Sequence, residues 1–429
     1  MACSQHCWQT EKLDLRPSDI KATDKDIRDF RRIRSQQRKT QLDHWQGTRL
    51  RKALVQINRA LGSPWRIPLA ARAAVLGTYR SGAAVSARHG IGVATQFLEI
   101  FAEVMRSGIL FEEYYLYQLY LPDRWRSRTR QFADDSQSYP AQQFLIERKR
   151  PSDFQLVHSK HLFAARCIEA KLPSVPLLAE FVDGHPNGTL EGLPATDLVS
   201  KPAVSGSGYG VESWRYDRGQ DCFFNAVTNQ RFSRDALHDH LCDLSSSICD
   251  LSNSRRVILQ ERLKNHAALA PLTNGALSTL RIVTCRTPSG SIDLMPPVIR
   301  MPAGRSIVDN FAQNGLAAPI DLATGTVCGA AVQMDNYLGQ ISTEKHPDSG
   351  QVFIGFGIPR WTEAVHLARR AHQTFSSLPF VAWDIAILQD GPVLLEGNPN
   401  FHTHVTLLPH GLTLSDTQFI PYYNYHWVN

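Results

Sequence analysis

The chain contains 429 residues, of which 43% are hydrophobic and 20% are charged, and its formal net charge is +6. This composition excludes an intrinsically disordered protein, and the length predicts two or three folded lobes. No apolar run approaches the roughly 18 residues that a membrane-spanning helix needs, so no transmembrane segment is expected.

The cysteines and the amino terminus bear on location. The eight cysteines form no CxxC pair, and none lies at zinc-ligand spacing from a histidine, so we interpret them as scattered buried residues. The opening stretch MACSQHCWQTEKLDLRPSD lacks the apolar core of a secretory signal. A cytoplasmic location is therefore expected.

The first part of the chain is predicted to be helical. From about Ser18 to Asp123, apolar residues recur at steps of three and four, as in GVATQFLEIFAEVMRSGILFEEYYLYQLY. The basic runs at residues 28–39 and 49–52 are interpreted as a solvated helical face, with a nucleic-acid or anionic membrane surface as the alternative. No basic strand with interleaved aromatic residues supports the nucleic-acid alternative.

The composition and periodicity of the sequence change after the helical region. Residues 122–142, rich in Arg, Ser, Asp and Gln, are predicted to form a polar connector. Beyond them, short β-rich runs alternate with helical patterns, which predicts an α+β fold. The β-rich runs are LPSVPLLAEF, DLVSKPA, RRVILQERL, TLRIVTCRT, IDLMPPVIRM, VFIGFGI, FVAWDIAIL and PVLLEGN. The helical patterns are SRDALHDHLCDLSS and RWTEAVHLARRAHQTFSSL.

A glycine-rich segment, VSKPAVSGSGYGV, begins with a strand-like run that ends at Lys201. Backbone N–H groups in such a loop can approach an anion closely, and the lysine adds a positive charge for phosphate. The lysine precedes the glycines, so the segment is not a P-loop. Taken alone, a flexible surface turn is an equally good interpretation.

Three oxygen-bearing side chains interrupt an apolar hairpin pattern, AWDIAILQDGPVLLEGNPN. If the strands are joined at QDGP, Glu396 and Asn398 lie two apart on one strand and face the same side. Antiparallel pairing can bring Asp384 beside them. Carboxylate and amide oxygens are ligands that Mg²⁺ prefers, together with nucleotide phosphates. A solvated hairpin face is the alternative, which the apolar flanks disfavour.

A third segment, VILQERLKNHAAL, has an apolar run that leads into Gln260 and Glu261. A strand that ends in an extended hinge can offer backbone N–H and C=O groups to the edge of an adenine, with Glu261 or His266 near the ribose. An ordinary strand exit is the alternative.

In this order, the three segments resemble the ATP-grasp superfamily, and most of all its sugar-transfer-associated branch, which is related to α-L-glutamate ligases. The resemblance runs from about Phe154 to His404. Its most specific stretches are LQERLKNHAALAPLTNGALSTLRIVT, AGRSIVDNFAQNGLAAPID and WDIAILQDGPVLLEGNPN. It implies an α+β ATP-grasp fold in which two lobes clasp ATP, here residues 151–256 and 257–429, after a helical region at residues 1–150.

The resemblance also implies which residues bind ATP and Mg²⁺. The two nucleotide lysines and the phosphate loop would be Lys160, Lys201, Ser205, Gly206, Ser207 and Gly208. The adenine hinge and its ribose neighbour would be Gln260, Glu261, Leu263 and His266. The Mg²⁺ ligands would be Asp384, Glu396 and Asn398.

One position departs from the family pattern. Many ATP-grasp ligases carry an arginine two residues before the first metal ligand, and here that residue is Ala382. We expect Arg281 or Arg300 to replace it and to act with Lys201 in catalysis, with a structural salt bridge as the alternative for each arginine. The segment RSIVDNFAQNG is expected to form a loop near the substrate, with contacts from Arg305, Asp309 and Asn310.

Together these residues imply an ADP-forming carboxylate-amine ligase in natural-product or cell-surface polysaccharide biosynthesis. It would convert a small-molecule carboxylate into an acylphosphate and pass the acyl group to an amine or hydroxyl acceptor. A phosphotransferase with the same nucleotide clasp is one alternative. A non-catalytic nucleotide-binding regulatory protein is another, which the intact lysines and metal ligands disfavour. ATP and Mg²⁺ are the expected cofactors, nucleic acid is not an expected partner, and a homodimer is compatible with the sequence.

Overall fold

The computed structural model describes residues 20–44, 66–106, 109–125, 137–187, 192–205, 209–247, 255–304 and 306–429. The helices in these ranges are α1 (Asp24–His44), α2 (Arg66–Gly77), α3 (Ala83–His89), α4 (Val93–Arg106), α5 (Phe111–Leu116), α6 (Pro122–Trp125), α7 (Tyr139–Lys149), α8 (Phe154–His158), α9 (Lys160–Glu169), α10 (Arg234–Ser247), α11 (Trp361–Thr374), α12 (His404–His410) and α13 (Phe419–Val428). The predicted helical region at the start of the chain is confirmed within the described residues.

Within the same ranges, the strands form two antiparallel sheets. The smaller sheet has the order β2-β1-β7-β3-β4-β5-β6, and the larger has the order β13-β12-β11-β10-β8-β14-β15 with β9 beside β8. The strands are β1 (Ala179–Val182), β2 (His185–Pro186), β3 (Leu198–Pro202), β4 (Glu212–Asp217), β5 (Cys222–Asn225), β6 (Arg231–Ser233), β7 (Arg256–Glu261), β8 (Thr279–Arg286), β9 (Ile292–Leu294), β10 (Val298–Met301), β11 (Leu316–Pro319), β12 (Ala331–Asp335), β13 (Gly339–Thr343), β14 (Phe380–Leu388) and β15 (Gly391–Asn398). The predicted α+β class is confirmed.

One face of the larger sheet is packed mainly by apolar contacts. Alternate residues of β8 and β14, such as Ile282, Trp383 and Ile385, are fully buried against α11 and α9. The helix α11 places Ala364, Val365 and its neighbours toward this face because its apolar residues recur at helical spacing. This packing is the main core of the larger sheet.

The opposite face of the same sheet is covered in two places. At the β8–β14 end, Val283 and Ala382 lie in a cluster with residues of α1, α7 and α13. At the β10–β12 end, Val298 and Ala317 lie in a cluster with residues of α2 to α5 and α12. The amino-terminal helices therefore pack on the sheet, and the strip between the two clusters is where the polar residues of β8, β10, β14 and β15 project.

The helical region meets the turn between β12 and β13 at Gly339. A Cβ at this position would lie 2.2 Å from the carbonyl carbon of Tyr115, and the residue has φ of +79°. Only glycine combines that conformation with such a close backbone approach. The Tyr120 hydroxyl donates to the Leu338 carbonyl nearby, at 3.3 Å.

The basic run at residues 28–39 is only partly a solvated face. Within α1, Ile27, Phe30 and Ile33 are buried and Arg28 is exposed, as an amphipathic helix requires. Arg34, however, is buried and lies over the Phe144 ring at 5.8 Å. The run at residues 49–52 lies outside the described residues.

Three sequence predictions are wrong in detail. The stretch 122–142 is not wholly a connector, because α6 begins at Pro122 and α7 at Tyr139; Pro140 fits the first turn of a helix, where no backbone donor is needed. The run VFIGFGI forms no strand: it makes isolated bridges, and Gly355 turns the chain with φ of +86°. Among the described cysteines, Cys328 is exposed and departs from the expected burial.

The boundary between the two lobes stays a prediction, and the strand pairing suggests a different position for it. The strand β7 pairs with β1 and β3, so it belongs to the smaller sheet, although the boundary at residue 256 assigns it to the second lobe. We propose Glu261 as the end of the first lobe. The helix α9 precedes the smaller sheet, yet Phe163 and Cys167 pack in the core of the larger one.

Among the described helices, none is long and apolar enough to cross a membrane.

Candidate functional site

A cavity of about 550 Å³ lies between the two sheets. Its walls come from both: β3 and β7 contribute Lys201 and Gln260, and β8, β14 and β15 contribute Arg281, Asp384 and Glu396. The predicted nucleotide, metal and acyl-handling segments therefore meet at one place, although they are far apart in sequence.

The hairpin of β14 and β15 carries the candidate metal ligands, and it depends on a register shift. From the turn onward, Leu388 pairs with Gly391 and Ile385 with Leu394, but Asp384 pairs with Glu396. The extra residue in β15 is Leu395. Because side chains alternate along a strand, an uninterrupted register would place Glu396 opposite Trp383, on the apolar face. The shift brings Glu396 to the cavity beside Asp384.

Two arginines bracket Asp384. Nη2 of Arg300 lies 3.1 Å from Oδ2 of Asp384, and Nε of Arg281 lies 2.8 Å from its Oδ1. The latter contact is an ion pair without hydrogen-bond geometry, so Oδ1 of Asp384 has no hydrogen-bond partner among the described residues. Burial raises the pKa of Asp384 to about 6, against the opposing effect of the two guanidinium groups. Both arginines expected to replace the one missing at Ala382 thus lie beside the first candidate ligand.

Glu396 lies among the lysines. Nζ of Lys160 is 3.7 Å from its Oε2. Burial would raise the pKa of Glu396, but the charges of Lys160 and Lys201 outweigh it and lower that pKa to about 2. Burial lowers the pKa of Lys201 to about 8, and Glu396 opposes the shift. At neutral pH the site therefore presents an ionised Glu396 facing two cations.

Lys160, the first of the two predicted nucleotide lysines, is held at the start of α9. Its backbone N–H donates to the carbonyl of Ala203, and its Nζ donates to the carbonyl of Ser205 at 2.8 Å. These bonds place Lys160 at the entrance of the glycine-rich loop. The predicted phosphate-loop residues Gly206, Ser207 and Gly208 lie outside the described residues.

The hinge segment lines the opposite end of the cavity. Gln260, Glu261 and Leu263 all border it. The Gln260 amide donates to the carbonyl of Val175 at 3.2 Å, so that side chain fixes the hinge in place. His266 does not border the cavity: its N–H donates to Ile387 and its ring accepts from Ala268, where it caps a short 3₁₀ helix. The structure therefore does not bring His266 to the expected ribose position.

The loop after β10 reaches the same cavity. Nη2 of Arg300 lies 3.4 Å from Oδ1 of Asp309, and the Thr279 hydroxyl donates to the other oxygen of that carboxylate. Thr279 in turn accepts from Arg300 at 2.8 Å. Asn310 follows and borders the cavity. Asp309 thus positions Arg300, which the sequence did not predict. Arg305 lies outside the described residues.

Several residues that border the cavity were not predicted from the sequence. Tyr139 reaches it from α7, and Asn400, His402 and His404 reach it from the segment after β15. The last three could have been found, because NPNFHTH directly follows the hairpin motif. Tyr139 carries no such signal, since its place in the cavity depends on how α7 packs.

The residues at the hairpin suit a Mg²⁺ ion that they would coordinate together with the phosphates of a nucleotide. Among the described residues, no group of three or more His, Cys, Asp and Glu side chains is arranged to hold a metal ion. Asp384, Glu396 and Asn398 supply two carboxylates and one amide, which suits an ion that takes its remaining ligands from water and phosphates. The buried Oδ1 of Asp384 accepts no hydrogen bond, although Nε of Arg281 lies 2.8 Å from it.

A family model described as sugar-transfer associated ATP-grasp matches residues 140–418. No curated protein sequence matches the chain. Similar solved structures include an ADP complex of N5-carboxyaminoimidazole ribonucleotide synthetase, with 10% identity, a TM-score of 0.32, and coverage of 62% of this chain and 52% of that one. D-alanine–D-alanine ligase from Bacillus anthracis has 12% identity, a TM-score of 0.33, and coverage of 63% and 66%. D-alanyl-alanine synthetase A from Vibrio cholerae has 14% identity, a TM-score of 0.35, and coverage of 64% and 66%. This chain thus spans between half and two thirds of the length of these three proteins.

Proposed function

Since the chain belongs to the sugar-transfer associated ATP-grasp family, we propose that it is an ATP-dependent ligase that joins a small-molecule carboxylate to an amine and releases ADP and phosphate. The predicted ATP-grasp fold agrees with this membership. The single observation that carries the proposal is the meeting of four cationic side chains with the two candidate metal carboxylates in one cavity: Lys160, Lys201, Arg281, Arg300, Asp384 and Glu396. Cations in this arrangement can stabilise the negative charge of a polyphosphate and of a substrate carboxylate.

The first step is phosphoryl transfer. A carboxylate oxygen of the substrate attacks the γ-phosphorus of ATP, the bond to the bridging oxygen breaks, and ADP leaves. Lys160 and Lys201 line the cavity, and their charges would stabilise the negative charge that develops on the transferred group. Mg²⁺, when bound at Asp384, Glu396 and Asn398, neutralises phosphate charge and orients the oxygens.

The second step is attack by the acceptor. The amine nitrogen bonds to the carbonyl carbon of the acylphosphate, the C–O bond to phosphate breaks, and the amine gives up one proton. Arg281 and Arg300 lie beside Asp384, where their N–H groups can hold the substrate carboxylate and later the carbonyl oxygen. Their place on neighbouring strands supports the view that they do the work of the arginine missing at Ala382.

Trapping of the acylphosphate tests this proposal. The protein is incubated with ATP, Mg²⁺, hydroxylamine, and pools of amino acids and sugar acids, and ADP and hydroxamate are measured. We expect both products to form together with one pool. A stable phosphorylated product without hydroxamate would instead identify a phosphotransferase, and nucleotide binding without any turnover would identify a regulatory protein.

The location and assembly of the protein are proposals of the same kind. A cytoplasmic setting would supply ATP and Mg²⁺ together, and small-molecule substrates suit a cavity of this size. The homodimer is a further proposal, which gel filtration with light scattering would check.

A further inference from the structure

Besides the charged centre, the cavity is lined by a second set of side chains, and we call the part that they border the second compartment. Arg300 contacts Asp309, and two residues farther along the chain Phe311 packs against the His404 ring, with centroids 5.8 Å apart. His404 lies 5.2 Å from the His402 ring. This series of contacts connects Arg300 of the charged centre to His402, which contacts the first residue of α7.

One wall of this compartment is a stack of flat rings. The rings of Tyr139 and His402 lie 4.6 Å apart with an interplanar angle of 15°. Phe311, Met334 and Val405 also border the cavity and add an apolar floor. Flat and apolar surfaces of this kind bind the face of a ring, because aromatic pairs stack favourably at such distances.

A polar group without a partner lies between the ring wall and the metal ligands. Oδ1 of Asn400 is buried, and no described residue donates a hydrogen bond to it. Asn400 borders the cavity two residues after Asn398 and two before His402. A buried acceptor without a donor costs free energy, so a ligand that supplies an N–H group here is favoured.

We propose that this compartment binds the acceptor, and that the acceptor is an amine that carries a flat ring. This assignment rests on the proposed ligase function and deepens it. Oδ1 of Asn400 accepts a hydrogen bond from the attacking amine, and Tyr139 and His402 pack against its ring.

Charge supports the same assignment. The carboxylate nearest to the compartment, Asp309, is engaged by Arg300 and by the Thr279 hydroxyl. It is therefore not free to anchor a small, strongly charged ammonium group. The ring supplies binding energy that a bare amine would lack, and Asn400 orients the nitrogen toward the acyl group between Arg281 and Arg300.

Direct binding tests the assignment without relying on turnover. Tyramine and n-butylamine, a ring amine and an amine without a ring, are titrated calorimetrically into the protein saturated with Mg²⁺ and ADP, which occupy the hinge. We expect saturable binding of tyramine and at least about tenfold weaker binding of n-butylamine, since only one ligand covers the ring wall. Absence of saturable tyramine binding, or equal affinity for both amines, would overturn the proposal.

Variants locate the binding. Asn400→Leu keeps the volume but removes the acceptor, so tyramine affinity is expected to fall at least about tenfold, whereas Asn400→Asp keeps an acceptor and loses less. Tyr139→Ala is expected to weaken tyramine but not n-butylamine. Tyr79→Ala, which changes a tyrosine that is 90% exposed, is the matched control and leaves both affinities unchanged. Equal tyramine affinity in wild type and Asn400→Leu would remove Asn400 from the site.

Turnover separates this assignment from the ligase proposal. With a carboxylate found by hydroxamate trapping, the rate of ADP release supported by tyramine is divided by the rate supported by hydroxylamine, which needs no ring wall. Asn400→Leu and Tyr139→Ala are expected to lower this ratio at least about fivefold. If no carboxylate supports ADP release with hydroxylamine, the ligase function fails, while the calorimetric result still decides whether the compartment binds ring amines.

Discussion

The two faces of the larger sheet are built from the same strands and serve different ends. On β8, Ile282 points into the apolar core while its neighbour Arg281 points into the cavity, and on β14 Ile385 and Asp384 divide in the same way. The apolar face packs on α11. The polar face carries charges that are buried but compensate one another, as Arg281 does for Asp384.

The difference between the two faces shows how a buried polar cluster can be accommodated in a stable sheet. Charges removed from water are tolerated only where opposite charges and hydrogen bonds surround them. Every ionised group of the cluster has such a neighbour, and Asp309 extends the set by pairing with Arg300. We therefore expect substitutions on the polar face to act mainly on turnover and those on the apolar face mainly on stability.

The largest expected effect is on turnover. Glu396→Gln removes a candidate metal ligand and the anion between two lysines. Lys201→Ala removes a positive charge that would bind phosphate. Each is expected to lower the rate of ADP release by at least about a hundredfold, as loss of one group that stabilises developing charge does in other enzymes. Coupled ADP assays measure the effect.

Glu169→Gln is the matched control for this prediction, because Glu169 is exposed on α9 and lies away from the cavity. It should retain wild-type turnover. Thermal melts of all three variants should remain cooperative. Normal ATP consumption by Glu396→Gln would contradict the site assignment.

A substitution at Ile385, the residue after Asp384, should lower stability and leave turnover almost unchanged. Ile385 is fully buried on the apolar face, and Ile385→Ala leaves a cavity that is expected to lower the free energy of unfolding by about 2–5 kcal/mol. Urea titration measures this loss. Turnover per folded molecule should stay within about twofold of wild type, and a large loss of turnover without loss of stability would erase the distinction between the faces.

Acid should also affect His372 on the apolar face and Asp384 on the polar face with opposite signs. On the apolar side, burial lowers the pKa of His372 to about 4, although its hydrogen bond to the Leu378 carbonyl opposes the shift. The unfolded chain then binds more protons than the folded one between about pH 4 and 6.5, so stability is lost as the pH falls through that window. Asp384, whose pKa is raised to about 6, contributes stability that grows as the pH falls below 6.

His372→Gln separates these two contributions. The stability advantage of wild type over this variant is expected to shrink by about 3 kcal/mol between pH 7.5 and pH 4, since only wild type must keep a buried neutral histidine. Urea titrations at three pH values measure it. His185→Gln, at an exposed position, is the control. A difference that is independent of pH would show that His372 has an ordinary pKa.

The smallest expected effect lies outside both faces, at the hinge. Leu263 borders the cavity where adenine is expected, and Leu263→Ala removes apolar contact that is the same before and during the reaction. The KM for ATP is expected to rise about tenfold with little change in kcat, the signature of uniform binding. A fall in kcat alone would place Leu263 near the reacting groups instead.

The sequence predicts the fold class and the gathering of the charged residues, but not the register that aligns them. Alternation along a strand predicts which side Glu396 shares with Asn398. It cannot locate the extra residue Leu395, because a bulge depends on packing around the hairpin. The positions of Arg281 and Arg300 follow from predicted strands of one lobe, whereas their approach to Asp384 requires the order of those strands in the sheet.

Other features depend on tertiary contacts that no local pattern encodes. Tyr139 reaches the cavity because α7 packs on the sheet through Ala141 and Leu145. The place of β7 in the smaller sheet also depends on such contacts, because β7 pairs with strands that precede it in sequence. The absence of His266 from the cavity has a local cause instead: its ring caps a 3₁₀ helix, and that bond competes with any ligand.

The fit at Gly339 offers a marker for the joining of the helical region to the catalytic fold. Any side chain at this position would collide with the backbone of Tyr115. A related protein in which helices dock in the same way must therefore keep glycine at the matching turn, whereas one without the docked helices has no such requirement. The residue at this one turn, between β12 and β13, can thus sort related chains by architecture from their sequences alone.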